Sequence, residues 1–459
     1  MSAYSPPHLE LGDEKLPLGL KLVYAVGNLG FTLLISAIGF FLLIFYTDVA
    51  HIPPALASTA LLVGKVWDIV NDPLFGWISD RTKSPLGRRR VYLIYGALPL
   101  ALVSFALWAV PRGLSSTTAF LWIVLSYALF DTFFTITNVP FNSLTAELTK
   151  DYDERTSLMA VASIGAVVGY LLGAVLPPMI TGGFEDASTG YLVMGAVFGG
   201  IVGLSIALVA WRVREPSQDR QLTAGLPILA SIRATFSNKP FIMLLTAFAI
   251  VRLSFTLMQS SVPYYIRYYL GAPDRMSLIL ALLMVTVGVF VYFWKWVSDK
   301  TSKSKAYAFG LLVMGGGALA TFLIQEGQLM FMNIAVIVIG FGLSSHWVAP
   351  YAMLPDVIEH DEAETGERRE GMYYGVYGLV DKIMRTLGVF LVGMGLDLVD
   401  YVPNAAQSAR SLLGIRLIFG PIPALLLIFV FPLLLRYPVT RQSHTELRKD
   451  LARNRQAED

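Results

Sequence analysis

The sequence predicts an all-α membrane protein with twelve transmembrane helices in two halves of six helices each. Three observations predict this fold: a shortage of charged residues, a series of long apolar segments, and a short string that recurs after nearly half of the chain. Of the 459 residues, 55% are hydrophobic and only 15% are charged, whereas a soluble domain carries about 25% charged residues. This deficit indicates that lipid surrounds most of the folded chain.

Twelve apolar segments are long enough to cross a bilayer, because a hydrocarbon core of about 30 Å requires about 20 helical residues. The predicted spans are 19–47, 55–78, 91–110, 118–146, 157–181, 189–211, 240–269, 276–297, 306–325, 329–353, 372–397 and 412–435. The longest polar stretch follows the sixth span and contains Pro216 and Pro227, which is typical of a linker. We therefore divide the chain into an N-terminal segment 1–18, a six-helix half 19–211, a linker 212–239, a second half 240–435 and a tail 436–459.

Basic residues collect in the loops on one side of the predicted membrane. The loops after even-numbered spans carry most of the lysine and arginine, for example Arg88, Arg89 and Arg90 after the second span and Lys300 and Lys303 after the eighth. Such loops lie in the cytoplasm, because Lys/Arg bias sets orientation. We expect both termini in the cytoplasm and the protein in the plasma (inner) membrane.

A six-residue string supports the division into two halves. The second span ends in Trp77-Ile-Ser-Asp-Arg-Thr82, and the eighth ends in Trp296-Val-Ser-Asp-Lys-Thr301. Strings that recur at equivalent places are typical of parallel repeats related by an axis along the membrane normal. The alternative, two unrelated basic loops that both end a span, does not explain the shared tryptophan, serine, aspartate and threonine.

Composition excludes several classes of function. The net charge of +2 gives no reason to propose nucleic acid as a partner, and the absence of cysteine excludes disulfides and thiolate metal sites. The five histidines form no metal-ligand cluster, and no phosphate loop or nucleophile–base motif is present. We therefore expect no enzyme and no cofactor. Residues 1–17 lack the layout of a cleaved signal peptide, so the first apolar segment is expected to be a retained span.

The second span carries two acidic residues. Asp68 and Asp72 are four residues apart and Asn71 lies between them, so all three project from one helical face. A carboxylate deep in a span costs about 2.5–3.5 kcal/mol or more unless it is paired, hydrated or bound to a cation. Oxygen ligands of this kind suit Na⁺, and a proton would also relieve the repulsion between the carboxylates. The alternatives are that Asp72 caps the helix end and that Asp68 pairs with Lys65.

The fourth span has a polar stripe formed by Asp131, Thr135, Asn138 and Asn142. Their spacing places them on one face of a helix, and such a stripe usually faces a cavity inside the bundle. The sequence therefore predicts that they bind a solute or an ion. Ordinary hydrogen bonding between helices is the alternative.

Charged residues in the second half need partners as well. Asp381 and Arg385 are spaced to pair along the eleventh span. Lys382 points elsewhere and needs its own counter-charge, for which the carboxylates of the second span are the natural candidates. The partner of Arg252, in the seventh span, is left open between Asp131, Asp381 and the solute.

Trp347 is a candidate for a cavity wall. It lies in a polar, helix-breaking stretch, residues 344–350, within the tenth span. Most other aromatic residues are scattered at helical spacing, which indicates ordinary packing.

The string Trp67-Asp-Ile-Val-Asn-Asp-Pro73 resembles a motif of the glycoside–pentoside–hexuronide:cation symporters of the major facilitator superfamily. Further matching strings follow in order along both halves, namely Tyr46-Thr-Asp-Val49, Val139-Pro-Phe141 and Pro355-Asp-Val-Ile-Glu359. The resemblance implies the major facilitator fold.

The resemblance also implies roles for single residues. The family's cation site matches Asp68, Asn71, Asp72 and Thr135, and its nearby lysine on the eleventh helix matches Lys382. Its tryptophan near bound sugar matches Trp347.

The sugar site departs from the family pattern. Thr32 and Asn138 stand where melibiose-type members have carboxylates, Asn142 replaces an aromatic residue, and residues 156–180 contain no arginine. A hydroxyl and an amide still bind sugar, although without charge-assisted hydrogen bonds. Asp131 lies on the same face as Asn138, so we expect it to take over part of this role.

The sequence therefore predicts a secondary active transporter that couples Na⁺ or H⁺ to a small solute, a sugar or glycoside, by alternating access. We expect it to act as a monomer in contact with membrane lipid. A sodium-dependent lysophospholipid symporter of vertebrates also resembles the second and eleventh spans, so an amphiphilic solute is the alternative. A third alternative is a membrane sensor that has kept the fold without transport. The predicted solute-binding residues are Thr32, Asp131, Asn138, Asn142, Arg252 and Trp347.

Overall fold

The protein is described by a computed structural model that covers residues 15–149, 151–213, 235–365 and 369–439. All regular secondary structure in these residues is helical. The α-helices of the N-terminal half are α1 (Leu18–Ile44), α2 (Pro54–Arg81), α3 (Arg90–Ala106), α4 (Ser116–Leu148), α5 (Tyr152–Thr181) and α6 (Ala187–Arg212). Those of the C-terminal half are α7 (Lys239–Tyr264), α8 (Met276–Lys300), α9 (Lys303–Ala320), α10 (Leu329–His346), α11 (Ala349–Thr365), α12 (Glu370–Leu398), α13 (Ala409–Phe419) and α14 (Pro421–Leu435).

Each of the twelve predicted spans coincides with helix. Within the described ranges, nine helical segments are long and apolar enough to cross a membrane. The other three spans are α3, which has only 17 residues, and α2 and α12, which carry charged residues near their middles. That all twelve cross the bilayer stays a prediction. The division at 212–239 also stays a prediction, because residues 214–234 lie outside the described part of the chain, as do residues 1–14 and 440–459.

Two predicted spans are interrupted. The tenth consists of α10 and α11, which are separated at Trp347, and the twelfth consists of α13 and α14, which meet at Gly420. The prediction ended the tenth span at residue 353, whereas α11 continues to Thr365. Hydrophobicity marks only the part of a helix that lies in lipid, since a helix can continue with polar residues beyond the membrane.

The repeated string adopts the same local geometry in both halves. α2 ends with the Arg81 guanidinium 4.4 Å from the centre of the Trp77 ring, and α8 ends with the Lys300 ammonium 4.1 Å from the centre of the Trp296 ring. Each pair is a cation–π contact between residues one helical turn apart. The agreement supports the interpretation of the chain as two related halves.

A second repeated feature was not expected from the sequence. α1 and α7 both continue into a five-residue π-helical turn, Phe45–Val49 and Tyr265–Tyr269, which lie 220 residues apart. In each turn the amide after the last residue donates to the carbonyl of the first, at 3.0 and 2.9 Å. The backbone then enters the left-handed region at His51 (φ 55°) and Gly271 (φ 68°). The first helix of each half therefore ends in the same way. We call the side of the molecule where these turns lie the distal side.

α1 and α5 pack with almost no space between their backbones. Gly165, Gly169 and Gly173 follow one another at four-residue spacing on α5, and a Cβ on any of them would lie 2.0–2.3 Å from a carbonyl oxygen of α1. Small residues at this spacing allow membrane helices to approach closely. The glycines therefore determine how α1 packs against the rest of its half. α1 contributes lining residues to the central cavity.

We expect Gly169→Ala to destabilise the protein, because the added methyl group cannot fit without moving α1. Overpacking of this kind costs about 1–3 kcal/mol. The matched control is Gly200→Ala in α6, where a Cβ would have no neighbour within 4 Å. Thermal unfolding in detergent should show a lower melting temperature for the first variant only. Equal melting of both variants would contradict the close packing.

Candidate functional site

A lysine of the C-terminal half binds both carboxylates of α2. The Lys382 Nζ on α12 lies 2.9 Å from Asp68 Oδ1 and also contacts Asp72 Oδ2. The Thr135 hydroxyl on α4 donates to Asp72 Oδ1 at 2.8 Å. The structure thus brings together four of the predicted site residues, and the ammonium group of Lys382 occupies the position between the two carboxylates.

A second lysine links α2 to α4. The Lys65 Nζ lies 2.8 Å from Asp68 Oδ2 and 2.7 Å from Asp131 Oδ1. The Asn71 amide nitrogen donates to the backbone carbonyl and to Oδ2 of Asp131, both at 3.2 Å. The pairing of Asp68 with Lys65, which the sequence left as an alternative, is therefore present together with the contact to Lys382. Asp131 thus contacts Lys65 and Asn71 of α2 and also lines the central cavity, and its role in solute binding stays a prediction.

Asn71 leaves one oxygen atom unused. The residue is fully buried, and its Oδ1 has no hydrogen-bond partner in the described part of the chain. A buried amide oxygen on a residue that shares a helical face with Asp68 and Asp72 suits a hard cation, which prefers oxygen ligands. Among the residues that the structure describes, no group of three or more His, Cys, Asp or Glu side chains could hold a metal ion.

The C-terminal half contributes two arginines that share one carboxylate. The Arg252 Nε lies 2.6 Å from Asp381 Oδ1, and the Arg385 Nη2 lies 2.7 Å from Asp381 Oδ2. Of the three partners left open for Arg252, the structure shows Asp381. The pair formed by Asp381 and Arg385 is the one that their spacing predicts.

A central cavity of about 250 Å³ lies between α1, α2, α4, α7 and α12, and its charged lining residues are Lys65, Asp131, Asp381, Lys382 and Arg385. Apolar side chains such as Leu42, Leu61 and Phe134 form its wall in the N-terminal half. Polar side chains from α7, including Gln259 and Ser260, face it from the other half. A mainly apolar wall with a few converging polar groups is typical of a site for a small ligand.

The formal charges around the cavity are separated. The group around α2 contains two positive and three negative side chains and carries a net charge of −1: Lys65, Lys382, Asp68, Asp72 and Asp131. The group on α7 and α12 contains two positive and one negative side chain and carries +1: Arg252, Arg385 and Asp381. The group around α2 therefore favours an additional cation and the group on α7 and α12 favours an anion; of the α2 group, Lys65, Asp131 and Lys382 line the cavity.

The remaining predicted solute ligands lie in different surroundings. Asn138 lines the cavity and accepts a hydrogen bond of 2.9 Å from the Asn142 amide. The Thr32 hydroxyl donates to a carbonyl of its own helix at 2.9 Å and lies against Gly169 of α5, away from the cavity lining. Trp347 packs edge-on against Tyr170 with ring centres 5.5 Å apart, also outside that lining. Their roles in solute binding stay predictions.

Two further residues at the cavity, Lys65 and Gln259, were not among the predicted site residues. Lys65 holds two carboxylates, and the Gln259 side chain donates to the Tyr170 hydroxyl at 2.9 Å, which joins the two halves beside the cavity. A lysine three residues before a membrane-embedded aspartate is a signal that would have found Lys65. No comparable signal exists for Gln259.

Comparison with known proteins adds three findings. The profile of the family described as "MFS/sugar transport protein" matches residues 23–441. An uncharacterized symporter of Synechocystis sp. is 29% identical over 97% of this chain and 98% of its own length. The sodium-dependent lysophosphatidylcholine symporter 1 of Gallus gallus is 26% identical over 97% of this chain and 91% of its own length.

A solved structure shows the same fold. It is that of a bacterial homolog of the human lysosomal transporter Spinster, and it superposes with a TM-score of 0.66 over 92% of this chain and 98% of that chain. The sequence identity is 14%, so this likeness concerns the fold alone.

We expect Lys65→Met to destabilise the protein, because it leaves Asp131 buried without its cation. Removing one partner of a buried ion pair costs about 3–5 kcal/mol. Adding Asp131→Asn to the same chain should restore most of the melting temperature. Lys295→Met, which removes an exposed partner of Asp299, is the control and should change little. If the double variant melts like Lys65→Met alone, Asp131 is not the group that Lys65 neutralises.

Proposed function

The chain belongs to the MFS/sugar transport protein family and is a multi-pass membrane symporter rather than an enzyme, and from this premise we propose that its coupling ion is Na⁺ or H⁺. The observation that carries the proposal is the Lys382 ammonium between Asp68 and Asp72. A cation is already accommodated at this point by the protein's own side chain. The family resemblance and the unused oxygen of Asn71 support the same assignment.

Lys382 and the coupling ion would compete for the two carboxylates. When Na⁺ binds there, the lysine is released toward the cavity that also contains Asp381 and Arg385. Protonation of one carboxylate would remove its negative charge and would likewise favour the release of Lys382. Ion binding then changes the charge that a solute meets, and by reciprocity the solute changes the affinity for the ion.

Transport would proceed by rocking of the two halves around the cavity. In this proposal the protein works as a monomer in the plasma (inner) membrane with both termini in the cytoplasm. The bias of lysine and arginine toward the loops after even-numbered spans supports this orientation.

For the solute we propose a sugar or glycoside as the first candidate. Neutral hydrogen-bonding groups on both sides of the cavity support it, namely Asn138, Gln259 and Ser260. These groups bind hydroxyls without charge, in keeping with the loss of the carboxylates that melibiose-type members use.

An amphiphile with an anionic group is the second candidate, and two observations favour it. The cavity wall on the N-terminal side is apolar, and the group formed by Arg252, Arg385 and Asp381 carries a net positive charge. A relative of similar length is named a lysophosphatidylcholine symporter, which is consistent with such a solute.

Thermal stability of the purified protein separates the two candidates. A glycoside and a lysophospholipid with alkyl chains of equal length should be compared, each in Na⁺ and in choline. A Na⁺-dependent rise in melting temperature with the glycoside supports the first candidate, and a rise with the lysophospholipid supports the second. A rise that is equal in choline would contradict coupling to Na⁺ and favour H⁺.

We expect Asp68→Asn to abolish concentrative uptake, because one of the two carboxylates that hold the ion is lost. Uptake of labelled solute into vesicles, measured with and without a Na⁺ or H⁺ gradient, is the test, and solute binding should persist. Asp274→Asn, which removes an exposed carboxylate paired with Arg275, is the control. Normal ion-driven accumulation by Asp68→Asn would refute the assignment.

We expect Lys382→Met to bind Na⁺ about tenfold more tightly or better, because it removes the competing positive charge. The same variant should lose ion-driven accumulation, because ion binding no longer displaces an ammonium group toward the cavity and so no longer changes the charge that the solute meets. Titration of the melting temperature with Na⁺ measures the affinity. Unchanged or weaker Na⁺ binding would contradict the competition between the lysine and the ion.

A further inference from the structure

The two halves also meet at the distal side, around a single carboxylate. Asp48 lies in the π-helical turn that ends α1, and its side chain is fully buried. The Tyr401 hydroxyl donates to Asp48 Oδ1 at 2.6 Å, and the Tyr268 hydroxyl donates to Oδ2. Both tyrosines belong to the C-terminal half, so this carboxylate is held across the interface.

Further contacts surround the same residue. The Asn404 side-chain amide donates to the backbone carbonyl of Asp48 at 2.6 Å, and the Arg267 Nη1 lies 3.5 Å from Asp48 Oδ2. A buried carboxylate is stable only when hydrogen bonds and a counter-charge replace its water. We call Asp48, Arg267, Tyr268, Tyr401 and Asn404 the distal latch.

The latch joins equivalent positions of the two halves. Asp48 and Tyr268 are the fourth residues of the two π-helical turns, which lie 220 residues apart and have the same hydrogen bonding. A contact between equivalent positions lies on the axis that relates the halves. If one half rocks against the other around the central cavity, this contact must open on the distal side. Single π turns within α-helices often occur at functional sites.

The latch also separates two spaces. An outer hollow of about 580 Å³ is lined by Asp48, Arg267 and Asn404 among others, while Leu43, little more than one helical turn earlier on α1, lines the central cavity. Burial raises the pKa of the Tyr401 hydroxyl above its usual value, and the Asp48 carboxylate raises it further. Tyr401 therefore remains a hydrogen-bond donor at neutral pH.

We propose that Asp48 closes the distal side of the central cavity and that the latch must break and re-form once in each transport cycle. The proposal rests on the alternating access proposed above. The latch residues act on the equilibrium between two conformations and do not touch ion or solute. In the open state, Asp48 exchanges its four partners from the C-terminal half for water from the outer hollow.

Accessibility of the cavity from the distal side tests the proposal without any ion or solute. Because the chain contains no cysteine, Ile38→Cys, in the cavity lining, provides a single reactive site. Asp48→Asn should increase its rate of labelling by a membrane-impermeant maleimide on the distal side by about tenfold, since it removes charge-assisted hydrogen bonds. Asp400→Asn is the matched control, because it removes an exposed carboxylate of the same loop region that pairs with Arg410.

Tyr401→Phe is the second variant, in case Asp48→Asn does not fold. It removes one hydroxyl and should give a smaller increase of the same sign. Thr117→Cys, at the exposed distal end of α4, shows which vesicle face the reagent reaches. Labelling of Ile38→Cys that is equal in Tyr401→Phe, Asp400→Asn and the unchanged background would overturn the latch. Failure of ion-driven uptake with normal latch behaviour would overturn the proposed coupling alone.

Discussion

The rest of the structure depends on the pairing of charged side chains inside the membrane. A single unpaired charge near the middle of a span costs about 2.5–3.5 kcal/mol or more, yet α2, α4, α7 and α12 together carry eight of them around one cavity. Each has an opposite charge within ion-pair distance. Because Lys382 belongs to one half and its carboxylates to the other, the contacts that make the charges tolerable also hold the halves together.

The two levels at which the halves meet differ in kind. At the cavity, the proposed mechanism makes Lys382 an exchangeable partner, because a small cation would replace its ammonium group between Asp68 and Asp72. At the distal side, Asp48 has several donors that must all be lost together when the halves separate there. In the proposed cycle a bound ion would therefore bias the first contact, while the simultaneous loss of several contacts at the second would make the conformational change discrete. A ligand shifts such an equilibrium only by the difference in its affinity for the two states.

The features that could be predicted from the sequence are those that depend only on helical geometry or on whether a segment lies in lipid or in water. The apolar segments predicted the helices, and the repeated string predicted two related halves. Four-residue spacing predicted that Asp68 and Asp72 share a face. The need for a counter-charge predicted that Lys382 meets them. The partner of Arg252 depends on how α7 packs against α12, and the spacing of residues along the sequence does not determine this packing. The π-helical turns change the hydrogen bonding of the backbone without changing the hydrophobic pattern, so the sequence gives no signal for them. Tyr401 contacts the latch from a loop, and its position could not be predicted from helical spacing either.

The charge separation in the cavity bears on the solute. In the proposed mechanism a coupling ion raises the summed formal charge of the two groups from 0 to +1, wherever the displaced Lys382 lies, and this charge faces a partly apolar wall. A neutral sugar would leave that charge to be hydrated within a cavity of about 250 Å³. A solute with one anionic group would neutralise it, and Lys382, once displaced, would add a donor on the same side. The two proposed solutes therefore differ in charge as well as in apolar surface, and we expect charge to be the property by which the cavity discriminates between them.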